Sequence, residues 1–180
     1  MKGSLVSRYE IGRQVLIMND QANTKLDFLE KAVLWDKGNT IDAFDDGRVF
    51  YHHWGRSINS GDNSLFSALT QMYNPLYLNK EYAKAEGHPG CVVAPLLVFN
   101  TVLGMTVEDL SLRGPFVGIK DCKFLSPVYE SDTLTCRSAV LNKRYSESKK
   151  GAAIVTWKTE GFNQSNELVI EFVRSNFLVM

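Results

Sequence analysis

Three polar side chains in the first half of the sequence have the chemistry of acid–base catalysis: Tyr77, Asp62 and His88. The phenol of Tyr77 can donate a proton or stabilise an oxyanion, although a phenol is a poor base at neutral pH. Asp62 can orient a water molecule or the tyrosine, and imidazole groups such as that of His88 exchange protons near neutrality. Each also has a structural interpretation: an aromatic pocket wall for Tyr77, a helix N-cap for Asp62 and surface packing for His88.

A second set of residues, close to these three in sequence, is predicted to contact a substrate: Met72, Asn74, Cys91 and Pro95. Asn74 precedes a proline, where its side chain is expected to form a hydrogen bond within a turn. Cys91 is expected to begin a helix, whose dipole can lower the pKa of a thiol. Since the sequence offers Cys91 no histidine partner, packing is its simpler role.

The remaining histidines and the cysteines do not suggest a metal site or a disulfide framework. His52 and His53 are neighbours on a predicted strand, so their side chains point to opposite faces and at most one faces a given pocket. Cys91, Cys122 and Cys136 are odd in number and form no CxxC pair. This pattern disfavours zinc and structural disulfides, and it is typical of a reducing cytoplasm.

The composition excludes several classes of protein. The 180 residues include 20 Lys plus Arg and 20 Asp plus Glu, and this balance disfavours a nucleic-acid partner, which requires a basic surface. The longest apolar stretch, Cys91 to Met105, is too short to cross a bilayer. The N-terminus has no basic stretch followed by an apolar core, so we expect no signal peptide and no membrane partner.

The pattern of apolar residues predicts an α+β domain with an antiparallel sheet. Lys25 to Trp35 has helical spacing and is assigned to a short helix in an N-terminal arm, residues 1–41. A second helix is expected between the Ser60-Gly61-Asp62 turn and Asn74-Pro75. Val92 to Met105 is apolar nearly all round, which is typical of a helix wrapped by a sheet. Strands are predicted at Arg48 to Ile58, Phe116 to Phe124, Thr133 to Lys143, Ala152 to Phe162 and Leu168 to Leu178.

Several segments resemble the MaoC-like dehydratases: Phe44 to Phe50, His53 to Ile58, Asp62 to Thr70, Asn74 to Asn79 and Leu125 to Leu134. The sequence between residues 44 and 77 most resembles the branch that hydrates itaconyl-CoA or mesaconyl-CoA. The resemblance implies a hot-dog fold over residues 42–180, in which an antiparallel β-sheet wraps around a long central helix. Such domains usually pair, because a sheet edge and a helix flank stay apolar and open, so we expect a homodimer or a higher homo-oligomer.

The resemblance fails at the residues that carry the family's chemistry. The family signature reads Asp, any residue, Asn, Pro, an apolar residue and His, and alignment on Asn74-Pro75 puts Met72 and Tyr77 at the Asp and His positions. At the start of the central helix, the family has a glycine or serine whose N–H polarises the thioester carbonyl, whereas this chain has Ala94-Pro95. Proline has no N–H, and one such donor typically contributes about 2.7–4 kcal/mol. A one-residue shift of the alignment would supply the N–H of Leu96.

These observations lead to three functional expectations. The first is a MaoC-like hydratase or dehydratase, a lyase that acts on a small acyl thioester without a cofactor, with coenzyme A or a carrier protein holding the substrate. A modestly basic loop, Arg144 and Ser146 to Lys150, can meet the phosphates of that carrier or form a solvated hairpin tip. The second is a repurposed hot-dog enzyme or binding protein of specialised biosynthesis, which catalyses a cyclisation or an isomerisation. The third is a thioesterase that uses Glu86, since one fold supports many chemistries.

Overall fold

The structure is a computed structural model that describes residues 8–11, 14–17, 38–109, 115–147 and 149–179. The chain divides into two units, Met1–Trp35 and Asp36–Met180. In the first unit, strand β1 (Arg8–Ile11) pairs antiparallel with strand β2 (Gln14–Ile17). The helix predicted at Lys25 to Trp35 lies outside the described residues. The boundary predicted between residues 41 and 42 stays a prediction.

The second unit combines one antiparallel sheet with four helices in its described residues, as the α+β prediction requires. Its strands are β3 (Val49–Tyr51), β4 (Arg56–Ser57), β5 (Phe116–Phe124), β6 (Thr133–Tyr145), β7 (Ala152–Phe162) and β8 (Leu168–Val179). Its helices are α1 (Ser60–Thr70), α2 (Pro75–Leu78), α3 (Lys80–Ala85) and α4 (Pro95–Met105), with short 3-10 turns at Ile41–Ala43 and Val107–Asp109. The strand order is β3-β6-β7-β8-β5, β4 pairs with β6, and every pairing is antiparallel.

The inner face of the sheet carries two apolar clusters, because alternate residues of β6, β7 and β8 point inward. The first cluster packs the sheet against α4 and contains Val98, Val102 and Met105 of the helix. The second cluster surrounds Trp157, which is fully buried. The helix that the sequence placed against the sheet is therefore confirmed as α4.

Three details of the predicted elements are wrong. The strand predicted over Arg48 to Ile58 is interrupted, and only its two ends pair with β6, as β3 and β4. Helix α4 begins at Pro95, so Cys91 lies before its first turn. The helix is also not buried all round, because Leu96 is 47% exposed. One flank of α4 therefore faces away from the sheet.

The start of α1 corrects the assignment of Asp62 as an N-cap. The N-cap is Asn59, whose side chain accepts a hydrogen bond from the backbone N–H of Asp62. Asp62 occupies the third helical position, and its carboxylate in turn accepts a hydrogen bond from the backbone N–H of Asn59 at 3.1 Å. This reciprocal arrangement is a capping box, which satisfies two donors at the helix start.

Candidate active site

Asn63 joins the segments that the sequence analysis proposed as the site. Its side chain is fully buried. Its amide nitrogen donates to the carbonyls of Tyr77 and Val92, each at 3.0 Å. Its amide oxygen accepts the backbone N–H of Ala94 at 2.9 Å. One side chain therefore holds α2 against residues 92–94, the segment that leads into α4. Sequence reasoning missed Asn63, because nothing in the sequence shows which backbone groups its side chain bonds.

Helix α2 carries Tyr77 and is positioned at its start by Asn74. The side chain of Asn74 accepts the N–H of Leu76 at 3.0 Å, which confirms the predicted hydrogen bond within the turn. Proline at the first helical position has no N–H to leave unsatisfied. Leu76 in turn accepts the N–H of Val92 at 3.0 Å. Tyr77 and Met72 are both half-buried beside this junction.

The start of α4 has one backbone donor to offer to a substrate. Ala94 donates to Asn63, and Pro95 has no N–H. The N–H groups of Leu97 and Val98 both bond to the carbonyl of Ala94, at 2.8 and 3.2 Å. The N–H of Leu96 is the donor of this first turn that has no partner in the part of the chain that the structure describes. Geometry thus favours Leu96 over residues 94 and 95 as an oxyanion donor.

His88 has a partner that the sequence analysis did not identify. Its Nδ1 lies 3.1 Å from the hydroxyl of Tyr129, and the side chain is half-buried. Burial raises the pKa of Tyr129, and the charges of Asp132 and Glu167 raise it further, so its hydroxyl keeps its proton at neutral pH. Tyr129 also forms an isolated β-bridge with Val92, which lies on the approach to α4. The histidine and this tyrosine therefore face the same end of α4 as α2.

Asp62 is held in place by structural contacts. One carboxylate oxygen accepts a hydrogen bond from the backbone N–H of Asn59, and the other accepts one from Nη2 of Arg56 at 3.0 Å. An ion pair that is partly exposed contributes little to stability. Its oxygens are nevertheless occupied, so catalysis by Asp62 stays a prediction that its contacts do not favour. Glu86, the thioesterase candidate, lies exposed at the C-cap of α3.

A cleft of about 280 Å³ lies at the start of α4. Its lining is almost wholly apolar and includes Pro95, Val98 and Val169. Cys91 lies close to it in sequence and is buried, and burial raises the pKa of its thiol, with a further contribution from Glu130. The packing role expected for Cys91 agrees with this environment, since a neutral buried thiol behaves as a small apolar side chain.

Neither metal binding nor disulfide formation has support within the described ranges. No group of three or more His, Cys, Asp or Glu side chains there could hold a metal ion. Cys91, Cys122 and Cys136 are free thiols. No helix in the same ranges is long and apolar enough to cross a membrane.

A buried polar layer lies between the two apolar clusters of the sheet. His52 places Nδ1 2.5 Å from the carboxylate of Asp109 and Nε2 2.8 Å from the hydroxyl of Ser138. Ser138 bonds in turn to Thr159 at 2.8 Å. His53 is partly exposed, with Nε2 3.5 Å from Glu108, so of the two histidines only His52 is buried. Both follow β3, which ends at Tyr51, so the prediction that they lie on a strand is wrong. Because a carboxylate only accepts, Nδ1 of His52 carries the proton.

The polar layer predicts an acid-sensitive fold. Burial lowers the pKa of His52 below its ordinary value, the charges of Arg174 and His53 act in the same direction, and Asp109 opposes them. The unfolded chain therefore binds a proton that the folded protein excludes, so this stability is complete above about pH 6.5 and is lost as the pH falls below it. Between pH 7 and 5, His52→Asn should show a shallower loss of unfolding free energy than wild type, by up to about 1.4 kcal/mol per pH unit.

Chemical denaturation at several pH values measures this difference. His53→Asn is the matched control, because that histidine is partly exposed and its charge makes the smallest contribution to the pKa of His52. Its slope should therefore stay close to that of wild type. Equal slopes in wild type and His52→Asn would contradict the assignment.

Comparison with known proteins decides the family. The family model described as mesaconyl-CoA hydratase matches residues 19–179 of this chain. The chain belongs to the mesaconyl-CoA hydratase family. The match begins well before residue 42, so the family resemblance extends into the segment assigned to the N-terminal arm.

Curated relatives of the mesaconyl-CoA hydratase family are longer than this chain. The mesaconyl-CoA hydratase of Cereibacter sphaeroides is 34% identical over 143 residues, which is 77% of this chain and 41% of that one. The beta-methylmalyl-CoA dehydratase of Chloroflexus aurantiacus is 32% identical over 138 residues, covering 76% of this chain and 39% of that one. The chain therefore spans about two fifths of the length of the curated relatives it matches.

A solved structure confirms the fold. A Mycobacterium tuberculosis protein with a double hotdog fold matches with a TM-score of 0.67 at 23% identity. The match covers 79% of this chain and 44% of that one. At this identity the match shows the fold alone, which is the hot-dog fold.

Proposed function

We propose that this member of the mesaconyl-CoA hydratase family is a lyase that adds water to, or removes it from, the acyl group of a small thioester. The observation that supports this most is the family match over residues 19–179. The junction at Asn63 supports it as well, because it holds the signature segment beside the first turn of α4. Catalysis of this kind depends on donors held in place before the substrate arrives.

The proposed chemistry replaces the usual pair with groups at the same end of α4. In hydration, the oxygen of water forms a bond to the β-carbon, one of its protons passes to a base, and the α-carbon gains a proton. Leu96 N–H polarises the thioester carbonyl, Tyr77 donates the proton, and His88, oriented by Tyr129, accepts one from water. No cofactor is needed, because the proton gained by the α-carbon and the hydroxyl group gained by the β-carbon together amount to one water molecule. The proton that His88 accepts returns to Tyr77 through solvent, which restores both groups.

Pure, folded protein incubated with crotonyl-CoA, itaconyl-CoA and mesaconyl-CoA tests the proposal. Hydration removes the conjugated double bond, so the absorbance of the conjugated thioester should fall with time for at least one substrate. Unchanged absorbance with all three, from protein shown to be folded by circular dichroism, would refute hydratase function.

Replacing the hydroxyl of Tyr77 should identify the acid. Tyr77→Phe keeps the ring and the packing, so stability should stay close to wild type while kcat falls by about 10²–10⁴-fold. Tyr73→Phe is the matched control, since that side chain lies four residues earlier and is 67% exposed. Steady-state kinetics of both variants distinguish the roles, and unchanged kcat in Tyr77→Phe leaves the tyrosine as a pocket wall.

We also propose that a second copy of the chain completes the assembly. The relatives are more than twice the matched length, and the double hot-dog structure holds two such modules in one chain. Edge strand β5 pairs with β8 on one side and exposes the large apolar side chains of Phe116, Val117 and Phe124, and Leu125, which follows the strand, is exposed as well. An edge of this kind invites pairing with another sheet.

Light scattering after size exclusion should therefore give twice the mass of one chain. Val117→Lys, in the exposed edge strand, should shift the population towards monomer, whereas Lys120→Glu in the same strand should weaken association less. A monomer at micromolar concentrations of wild type would contradict this proposal.

One observation favours the alternative of a repurposed hot-dog enzyme. Asn63 occupies the N–H of Ala94, and Pro95 has none, so the two positions that align with the family's donor are both unavailable. A pocket that lacks this donor can still bind a substrate and direct a cyclisation or an isomerisation through position and Tyr77 alone. Tight binding of an acyl thioester without hydration, together with a changed product, would favour this function over the lyase.

A further inference from the structure

Arg174 points from β8 into the interior, where two of its guanidinium nitrogens have no hydrogen-bond partner among the described residues. Its residue is 1% exposed, and its guanidinium lies 4.2 Å from the centroid of the Trp157 ring. Its Nε and Nη2 are buried, and neither donates a hydrogen bond to a group in the part of the chain that the structure describes. These two nitrogens form one edge of the guanidinium, which is the fork that binds both oxygens of a carboxylate.

The groups around Arg174 do not neutralise its charge by contact. Burial lowers the pKa of Arg174 to about 9, which still leaves it cationic at neutral pH. Burial raises the pKa of Cys136 to about 12, so the thiol beside it is neutral. The carboxylate of Asp109 is held by His52 instead. A buried cation without a bonded partner is costly, and the fork is complementary in shape and charge to a carboxylate.

The position of this fork relates it to the cleft at the start of α4. Cys136, which interacts with Arg174, approaches the carbonyl of Val102 in the second half of α4, with a sulfur–oxygen distance of 3.8 Å. The cleft lies one turn earlier, at Val98. Val98 and Val102 are separated by about 6 Å along the helix axis. The cleft and Cys136 therefore contact successive turns of the same helix.

We infer that Arg174 binds a carboxylate in the interior of the module, beneath the second half of α4. Two sources share this chemistry: a free small carboxylate, and the distal carboxylate of a dicarboxylic acyl thioester. The second source rests on the proposed function and makes Arg174 a specificity-determining residue, since an acyl group without that carboxylate leaves the fork unpaired.

Saturated thioesters test the inference without requiring turnover. Succinyl-CoA and butyryl-CoA have acyl chains of the same length, and only the first ends in a carboxylate. Calorimetry at pH 7.5 should show that wild type binds succinyl-CoA at least about tenfold more tightly, because bonds to a charged group are the stronger ones. Arg174→Met should remove this preference. Arg137→Met is the matched control, since Arg137 lies on the same sheet but is exposed and paired with Glu160.

Formate distinguishes the two sources. A rise in the melting temperature of wild type with formate, matched in chloride and absent in Arg174→Met, together with equal binding of the two thioesters, assigns the fork to a free carboxylate. A preference for succinyl-CoA that Arg174→Met removes assigns it to the acyl group. No preference and no formate effect, or effects that persist in Arg174→Met, would overturn the inference.

Two further measurements keep the test decisive. If Arg174→Met does not fold, the Nε–H resonance of Arg174 in wild type should shift with succinyl-CoA or formate but not with butyryl-CoA or chloride, and a resonance that does not move overturns the inference. These are binding experiments. If the protein prefers succinyl-CoA but hydrates none of the substrates, the lyase proposal fails and the Arg174 inference stands. If it hydrates a substrate but shows no effect of a carboxylate, the Arg174 inference fails and the lyase proposal stands.

Discussion

Asn63→Leu should lower the free energy of unfolding by about 3 kcal/mol. Leucine has a similar volume, so the change removes the amide group and little else. The buried N–H of Ala94 and the carbonyls of Tyr77 and Val92 all lose the partner that Asn63 provides. Each unsatisfied buried group costs about 1–3 kcal/mol. Urea denaturation followed by circular dichroism measures the loss.

Two variants separate the role of Asn63 from a general effect of substitution. Asn63→Asp keeps an oxygen for Ala94 but loses both donated bonds, so its stability should lie between those of wild type and Asn63→Leu. Asn100→Leu is the matched control, because this exposed asparagine bonds, among the described residues, only to the carbonyl of Leu96 in its own helix. A control variant that loses as much stability as Asn63→Leu would argue against the junction.

Gly161→Ala should lower the free energy of unfolding by about 1–3 kcal/mol, the usual cost of overfilling a packed core. A β-carbon at this position would lie 2.7 Å from Cγ2 of Ile170 and 2.8 Å from Cγ2 of Val102. Val102 belongs to α4 and is fully buried. Glycine at position 161 therefore allows the helix to approach the sheet closely, and even one methyl group must separate them. Thermal and urea denaturation give the size of the effect.

The control for Gly161 has the opposite expected sign. Gly104 lies inside α4, and a β-carbon there would meet nothing within 4 Å. Gly104→Ala should raise stability by about 0.5–1 kcal/mol, since alanine is a better helix former. Combining Gly161→Ala with Val102→Ala removes both γ-methyl groups that crowd the new side chain, so the double variant should lose less than the sum of the two single losses. Strict additivity would exclude the clash with Val102.

Large parts of this architecture could be predicted because they depend on local patterns. Strands β5 and β7 have the predicted bounds. Along β7, buried and half-buried residues alternate, and the order of residues in the sequence shows this period directly. The same reasoning joined β3 and β4 into one strand, because it cannot see where pairing with β6 is interrupted. Asp62 was assigned as the cap of α1, because the neighbouring Asn59 competes for the same position with the same chemistry.

The candidate site shows where local patterns cease to be informative. Tyr77, Asn74 and the loop at His88 were found from residue type and resemblance, and the structure places them around the first turn of α4. Asn63, Tyr129 and Arg174 were missed, since each acts through a contact with residues that are distant in sequence. The donor at the start of α4 is a further case, because only the bond from Ala94 to Asn63 shows which N–H groups are already used.

The sequence by itself determined the class of fold, the family and the loss of the usual Asp and His, since residue identity and short-range order are sufficient for these. The tertiary structure decided which side chains meet. In the folded protein, Asn63 bonds to three backbone groups and His88 bonds to Tyr129. Arg174 is buried, and its Nε and Nη2 have no partner among the described residues. The physical reason is that hydrogen bonding and desolvation depend on distances between segments that only folding brings together.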